Sequence, residues 1–409
     1  MSAKNWATNI TFHDSRTLHP RSVEELARIV ENSKKVRVRG SGHSFNHIAD
    51  SNETVVILDA IKEPVEIDSS RMIARVSAGL NYAEVASALE SRGWALHNLA
   101  SLPHISIAGA ISTSSHGSGI KNGALHTAVN AVELIDAFGS KRTIDREDEN
   151  FPGTVVGLGL TGIFTTIQLN IEPSYDIYQS VYANLSTELF LENLLEIMSG
   201  AYNISMFTTW NGFCDIWMKS RTFTPTEYFG IPALSAKVHP IPGVDPAACT
   251  DQGGSRGKWL DRLAHFRIDA NPSAGNELQS EFFVESRHAS SAFAALLEIA
   301  PKFKDKVLVS EIRTVAADDH WLSLAHNRES VAFHCTWKNH FEVPYLISLI
   351  EEVLSPYSFR PHHGKLFNTT FDYLETSYPM WNKFRDFFQQ NDPEHKFLNR
   401  YTKSLFDIS

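Results

Sequence analysis

Two stretches of small residues, GSGHSFN at 40–46 and ASLPHISIAGAISTSSHGSG at 100–119, limit what the first part of this chain can become. The first directly follows VRVR, a strand-like run, and each holds a histidine beside glycine and serine. Such backbone forms tight turns whose N–H groups converge on anions and whose surface lets a ligand approach the main chain. Either stretch alone reads as a turn. Two of them within one domain shift the reading towards a cofactor. A third pattern, Gly157-Leu-Gly159-Leu-Thr-Gly162, formally matches G-x-G-x-x-G. In a dinucleotide-binding unit that motif opens a helix, whereas the run that follows here, IFTTIQLNI, is β-branched and reads as a strand.

Around these turns the hydrophobic pattern is mixed. Ser22 with Glu25 three positions on forms a capping box before the stripe Val23, Leu26, Ala27 and Val30, and Asn81 with Glu84 starts a second helix that stops at Gly93. VRVR, VVIL and MIARV read as strands, and AVNAVELIDAF and KRTI form a hairpin about Gly139-Ser140. Helices and strands do not alternate as in a doubly wound sheet, so residues 1–175 are α+β. A second domain at 176–375 carries helices at ELFLENLLEIM, SSAFAALLEIA and PYLISLIEEVL, with SEIRTV and VAFHCTW as strands. The segment 376–409 brings an amphipathic helix that packs back on either domain.

Length supports two cores. Lysine and arginine number 37 against 47 acidic residues, and the basic residues are dispersed, so a nucleic-acid footprint is not indicated. No apolar run approaches the roughly 20 residues of a membrane helix, and MSAKNWATN lacks an apolar leader, so the expectation is a cytoplasmic protein without membrane partners. Cys214, Cys249 and Cys335 are odd in number and far apart, which suits reduced thiols. His362 and His363 are adjacent and cannot readily share one tetrahedral site, and no H-E-x-x-H occurs, so no metal is expected.

VRVRGSGHSFN and ASLPHISIAGAISTSSHGSG, together with SEIRTVAADDHWLS, FHCTW and PHHGKLF, resemble the alditol oxidases (xylitol or sorbitol oxidases) of the vanillyl-alcohol-oxidase flavoprotein superfamily. The similarity runs from NWATNIT to DPEHKFLN. It implies a two-domain fold, an N-terminal FAD-binding α+β domain and a C-terminal substrate (cap) domain with a sheet flanked by helices, the last segment lying near the FAD-binding domain. It also implies that His43 is bonded covalently to the 8α-methyl carbon of FAD; a neutral imidazole is a competent nucleophile for that carbon. No cysteine lies in the first domain to supply a second tether. Arg39, Gly40, Ser41, Gly42, Ser44, Phe45, Ser101, Ser106, Gly109, Thr113, Ser114, Ser115, His116, Gly117 and Gly119 would surround the cofactor, joined by Ile163 from the later glycine turn.

On the substrate side, period-2 spacing puts Glu311 and Arg313 on one face of SEIRTV, and His334 and Thr336 on one face of VAFHCTW. By themselves these six residues of SEIRTV read as an ion pair on a solvated strand, and Lys365 as a surface amine. The resemblance implies instead that Ser101, Gln279, Glu311, Arg313, His334, Thr336 and Lys365 line a polyol pocket, with Lys365, Arg313 and Glu311 catalytic. The implied reaction oxidises the C1 hydroxyl of xylitol or sorbitol to the aldose, passing hydride to flavin N5 and electrons to O2 with release of H2O2, in a monomer. Ala100 would stand near the flavin edge where a side chain admits or blocks O2. An aldonolactone oxidase or dehydrogenase of the same superfamily is the alternative, and a non-catalytic sugar-binding protein is the alternative of another class.

Overall fold

The computed structural model describes residues 3–13, 15–270 and 276–408. In the first part, a parallel sheet of three short strands, Arg16–Leu18, Thr54–Val56 and Val36–Val38, lies beside an antiparallel sheet of five. The five run in the order Glu66–Asp68, Ile73–Ser77, Ile163–Asn170, Val129–Ile135, Lys141–Asp145. The run after the G-x-G-x-x-G look-alike is thus a central strand, and Gly139 turns the hairpin with φ at +76°.

The helix boundaries follow their caps. Asn81 and Glu84 make both bonds of the box that opens Tyr82–Glu90. At the first helix, Val23–Asn32, Ser22 accepts from Glu25 N, but the Glu25 carboxylate accepts from Arg21 N rather than from the cap residue itself. The helix expected at ELFLENLLEIM is two, Thr187–Glu192 and Leu194–Ser199. Asn193 breaks it by turning its side-chain amide onto Leu189 O at 3.0 Å, a local bond that competes with the next helical turn.

The second part is built on an antiparallel sheet of eight strands, in the order Arg256–Lys258, Asp176–Ser186, Phe213–Ser220, Asn203–Thr208, Val307–Val315, Ser330–Lys338, Glu277–Glu285, Arg360–Pro361. Alternation along each strand sorts its side chains. Ile204, Met206, Ile216, Met218, Phe282, Val284, Ile312, Phe333 and Trp337 share one apolar cluster with Phe293 and Leu296 of helix Ala289–Phe303 and Leu346 and Ile350 of helix Val343–Leu354. Their neighbours on the other face, Lys219, Gln279, Glu281, Glu311, Arg313, His334 and Thr336, are polar and mostly buried. A buried polar face needs something polar to cover it.

The C-terminal helices close the first core. Trp381, Phe384, Phe388 and Phe406 lie in the same cluster as Leu26, Val36, Val56 and Ile163. Asn399 donates to the carbonyls of His47, Ile48 and Asp50, and Arg37 reaches Phe397 O at 2.7 Å. The three cysteines are free and buried. Among the described residues no helix is long and apolar enough to cross a membrane.

Candidate active site

The two small-residue stretches meet. Ser106 N donates to Ser41 Oγ at 3.0 Å and Ser41 N to Ser106 Oγ at 3.4 Å, so each serine satisfies the other's backbone. Contact this close requires glycine: a Cβ on Gly40 would stand 2.1 Å from Ser106 Oγ, and one on Gly109 2.8 Å from it. The first stretch is also tied to the PHHGKLF segment, since Phe45 N donates to Gly364 O and Asn46 Nδ2 to the carbonyls of His363 and Lys365. The turn that carries His43 and the turn that carries Lys365 are therefore one unit.

These turns border a cavity of about 500 Å³ that reaches the polar face of the large sheet. On the first side stand Arg39, Gly40, Ser41, Gly42, His43, Ser44, Phe45, Ala100, Ser101, Ser106, Gly109, Thr113, Ser115 and His116; on the second Gln279, Glu281, Glu311, Arg313, His334, Thr336 and Lys365. Four residues expected at the cofactor stand behind this lining. Ser114 accepts from Leu324 N, and Gly119, at φ +128°, donates its N–H to Thr314 O, which stitches the turn to the large sheet. Gly117 leaves room for Asn98, whose Oδ1 would be 2.5 Å from a Cβ, and Ile163 is buried inside its strand. Their small size or apolar character serves packing in this structure.

His43 stacks on Trp6 with centroids 5.2 Å apart, and its Nδ1 is buried without a hydrogen-bond partner. Burial pushes its pKa down to about 4, so the ring is neutral. A buried, unspent imidazole nitrogen beside a glycine cradle fits a flavin held at this wall; the residues present suit the group.

Across the cavity, the registers Glu311↔His334, Glu281↔His334 and Gln279↔Thr336 bring three strands' polar positions side by side. Glu281, absent from the sequence expectations, is the hub. Arg313 Nη2 donates to its Oε1 at 2.6 Å and Lys365 Nζ to its Oε2 at 2.7 Å, while His116 Nε2 lies 3.1 Å from Oε1. Burial alone would raise its pKa, but Lys365, Arg313 and His116 hold it well below the carboxylate range. Glu311 is depressed too: burial opposes its ionisation, and Arg313 with His265 overcomes that. Two cations and two carboxylates thus form a paired, nearly neutral wall. His334 Nε2 meets Gln279 Oε1 at 3.2 Å, and burial with the nearby Lys365 takes its pKa down to about 3. Arg313 also reaches Ser101 Oγ at 3.4 Å, so Ser101 joins the two walls. His362 accepts from Gly364 N and His363 Nε2 faces Leu322 O, which turns the adjacent histidines to different partners.

Glu281 was visible in one respect: ELQSEF places it two positions from Gln279, on the same face. His265, which lines the cavity beside Glu311, carried no signal, because it sits in a loop without periodicity.

Residues 15–145 match the family model described as an FAD binding domain, and residues 276–405 the model described as D-arabinono-1,4-lactone oxidase. The chain is 40% identical over 98% of its length to an alditol oxidase from Streptomyces sp., of which it covers 98%. It is 24% identical to an L-gulono-1,4-lactone dehydrogenase from Mycobacterium tuberculosis, again with 98% of each chain covered. Among solved structures, cholesterol oxidase from B. sterolicum superimposes with a TM-score of 0.81 at 12% identity, covering 99% of this chain and 96% of that one. That likeness concerns the fold.

Proposed function

The chain belongs to the alditol oxidase family of FAD-dependent enzymes, and from that premise we propose that it oxidises the C1 hydroxyl of a small alditol such as xylitol or sorbitol to the aldose. One observation carries the reading: a glycine-lined cradle with a histidine whose Nδ1 has no hydrogen-bond partner faces, across one cavity, a wall of paired charges and hydroxyls. FAD would be held by the turns 39–45 and 106–116 and attached through His43. When bound, it supplies the two-electron acceptor and passes the electrons to O2, giving H2O2.

The chain's own groups do the rest. A polyol is an uncharged row of hydroxyls, and selecting it takes several convergent donors and acceptors rather than a net field. The paired wall has that character. Lys365 and Arg313 donate towards the C1 oxygen and stabilise partial negative charge on it, an effect strengthened where water is excluded. Glu281 keeps both cations in place. Glu311, strongly ionised, accepts from a neighbouring hydroxyl and orients the chain, with Ser101, Gln279, His334 and Thr336 contacting the rest. The enzyme acts as a monomer in this reading.

A second reading rests on the match of residues 276–405 to the arabinonolactone oxidase model: an aldonolactone as substrate. Peroxidase-coupled assays of the flavin-loaded protein with xylitol, sorbitol and L-gulono-1,4-lactone separate the two. H2O2 from the alditols is expected. A response to the lactone alone rejects the alditol reading, and turnover only with an artificial dye rejects the oxidase part of it.

A further inference from the structure

The polar wall continues behind the cavity. Lys219, on the strand Phe213–Ser220, is fully buried on the same sheet face as Glu311 and Arg313. Its Nζ donates to Leu263 O at 2.5 Å, lies 3.5 Å from Ala264 O, and meets His265 Nδ1 at 3.1 Å. Burial pushes the Lys219 amine down to about 7, but it has N–H groups to donate whether or not it is charged, and the Glu311 carboxylate can only accept, so His265 Nδ1 accepts from Lys219 and the ring proton sits on Nε2. From there it is donated to Glu311 Oε1 at 2.8 Å. The ring is held from three sides. It packs edge-on against Phe207 and Trp217, with centroids 5.3 and 5.5 Å away, and its backbone N–H donates to Ser101 O at 3.2 Å.

We propose that Lys219 and His265 are positioning residues for polyol oxidation: the chain Lys219–His265–Glu311 points every proton towards the cavity, so Glu311 stays a carboxylate with Oε1 engaged and Oε2 left to accept a substrate hydroxyl. This role rests on the alditol reading above. The direction of the chain follows from donor chemistry. Glu311 then orients substrate and is not the group that takes the alcohol proton, since each partner around it stabilises its ionised form. Those partners are Arg313 on its own strand, with Nε 3.6 Å from Oε2, His265 from the loop, and His334 from the next strand. Burial beside Lys219 also takes the His265 pKa down to about 4, so the ring is neutral.

Nitrogen-15 NMR of histidine-labelled holoenzyme reads the chain directly. The His265 signal is identified by its absence in H265Q or its shift in K219M. An unprotonated Nδ1 with a protonated Nε2 is expected; the opposite tautomer or an imidazolium overturns the proposal. Activity tests the consequence. Gln offers an oxygen to Lys219 and an N–H to Glu311, so H265Q should fall less than about 5-fold in kcat/KM on xylitol. H265F, matched for flavin content, should fall about 100-fold, the scale of a misplaced substrate contact. K219M should behave like H265F, and equal activities of H265Q and H265F overturn the role. Wild-type enzyme that turns over no alditol while showing the Nε2–H tautomer refutes the alditol reading, and this role with it. Alditol turnover with an Nδ1–H tautomer refutes this inference alone.

Discussion

Replacing Glu281 by Gln would leave the guanidinium of Arg313 and the ammonium of Lys365 buried without the carboxylate both contact. Removing one member of a buried charge set costs about 3–5 kcal/mol, and the two cations would no longer be fixed against the substrate. Glu281→Gln should therefore lower the melting temperature of the holoenzyme and cut kcat by about 100-fold. Calorimetry and peroxide assays measure the two, and unchanged values of both would remove Glu281 from the centre of the site. Lys365→Ala differs: at 15% side-chain exposure the amine sits at the edge of the cluster, so a fall in kcat of about 100- to 1,000-fold with unchanged flavin content is expected. His43→Ala makes the opposite separation, with flavin leaving the acid-precipitated protein for the supernatant. Yellow colour persisting in the pellet of that variant would reject His43 as the attachment point. Alternation puts Glu311 and Arg313 on one face, as the sheet does, but read alone it makes them a solvated ion pair; their proposed place in the pocket, like that of His43 at the flavin, comes from the family resemblance. The role of Glu281 was not readable, since it depends on partners 32 and 84 positions away that only the sheet register brings together.

Elements were legible to the extent that local chemistry decides them. The cap at Asn81, the hairpin at Gly139 and the strands Val307–Val315 and Ser330–Lys338 follow from caps, turns and β-branched runs. The break at Asn193 is a competition between one side chain and the next helical turn, which a helical stripe of leucines conceals. Docking of the turns 40–46 and 106–116 was beyond reach because it depends on an interatomic gap. That gap makes a test at this scale. Gly40→Ala places a methyl 2.1 Å from Ser106 Oγ, which must part the two turns and break the reciprocal Ser41–Ser106 bonds. Gly93→Ala meets no atom within 4 Å, and its φ of +78° costs only about 1–2 kcal/mol of strain. The first variant should lose most of its flavin, by the ratio of 450 to 280 nm absorbance, and the second should keep it. Equal flavin content in both would show that the cradle does not depend on the close approach.

For the whole molecule, joining two domains across a polar cavity has a consequence for acid stability. Besides His43, the proposed attachment point of the flavin, nine of the 18 histidines have pKa values lowered chiefly by burial, among them His265 and His363 at about 4 and His334 at about 3. Each is neutral in the fold and titrates near 6.5 when the chain unfolds, so the unfolded state binds more protons between those values. Stability from these groups is present above pH 6.5 and is lost as the pH falls below it; for His265, His363 and His334 the loss continues to about pH 4, at up to about 1.4 kcal/mol per pH unit for each. Asp215, Asp261, Glu277, Glu351 and Asp392 are raised by burial and take up protons first in the fold, which offsets part of that loss. Below the ordinary carboxylate range Glu281, Glu311 and Asp318, all depressed, extend the decline. General charge repulsion works the other way at first, because acid carries the chain from −10 at pH 7 towards its isoelectric point of about 6.0. A fall in melting temperature that steepens below pH 6.5 therefore reports the buried histidines, whereas the slope above pH 7 belongs to Lys219, which burial pushes down to about 7. Scanning calorimetry of the holoenzyme from pH 8 to 4.5 should show that steepening, with net proton uptake on unfolding measured in two buffers of different ionisation enthalpy. A level melting temperature from pH 6.5 down to 4.5, followed by a steep carboxylate-range collapse, would mean that these rings are hydrated or already protonated in the native enzyme.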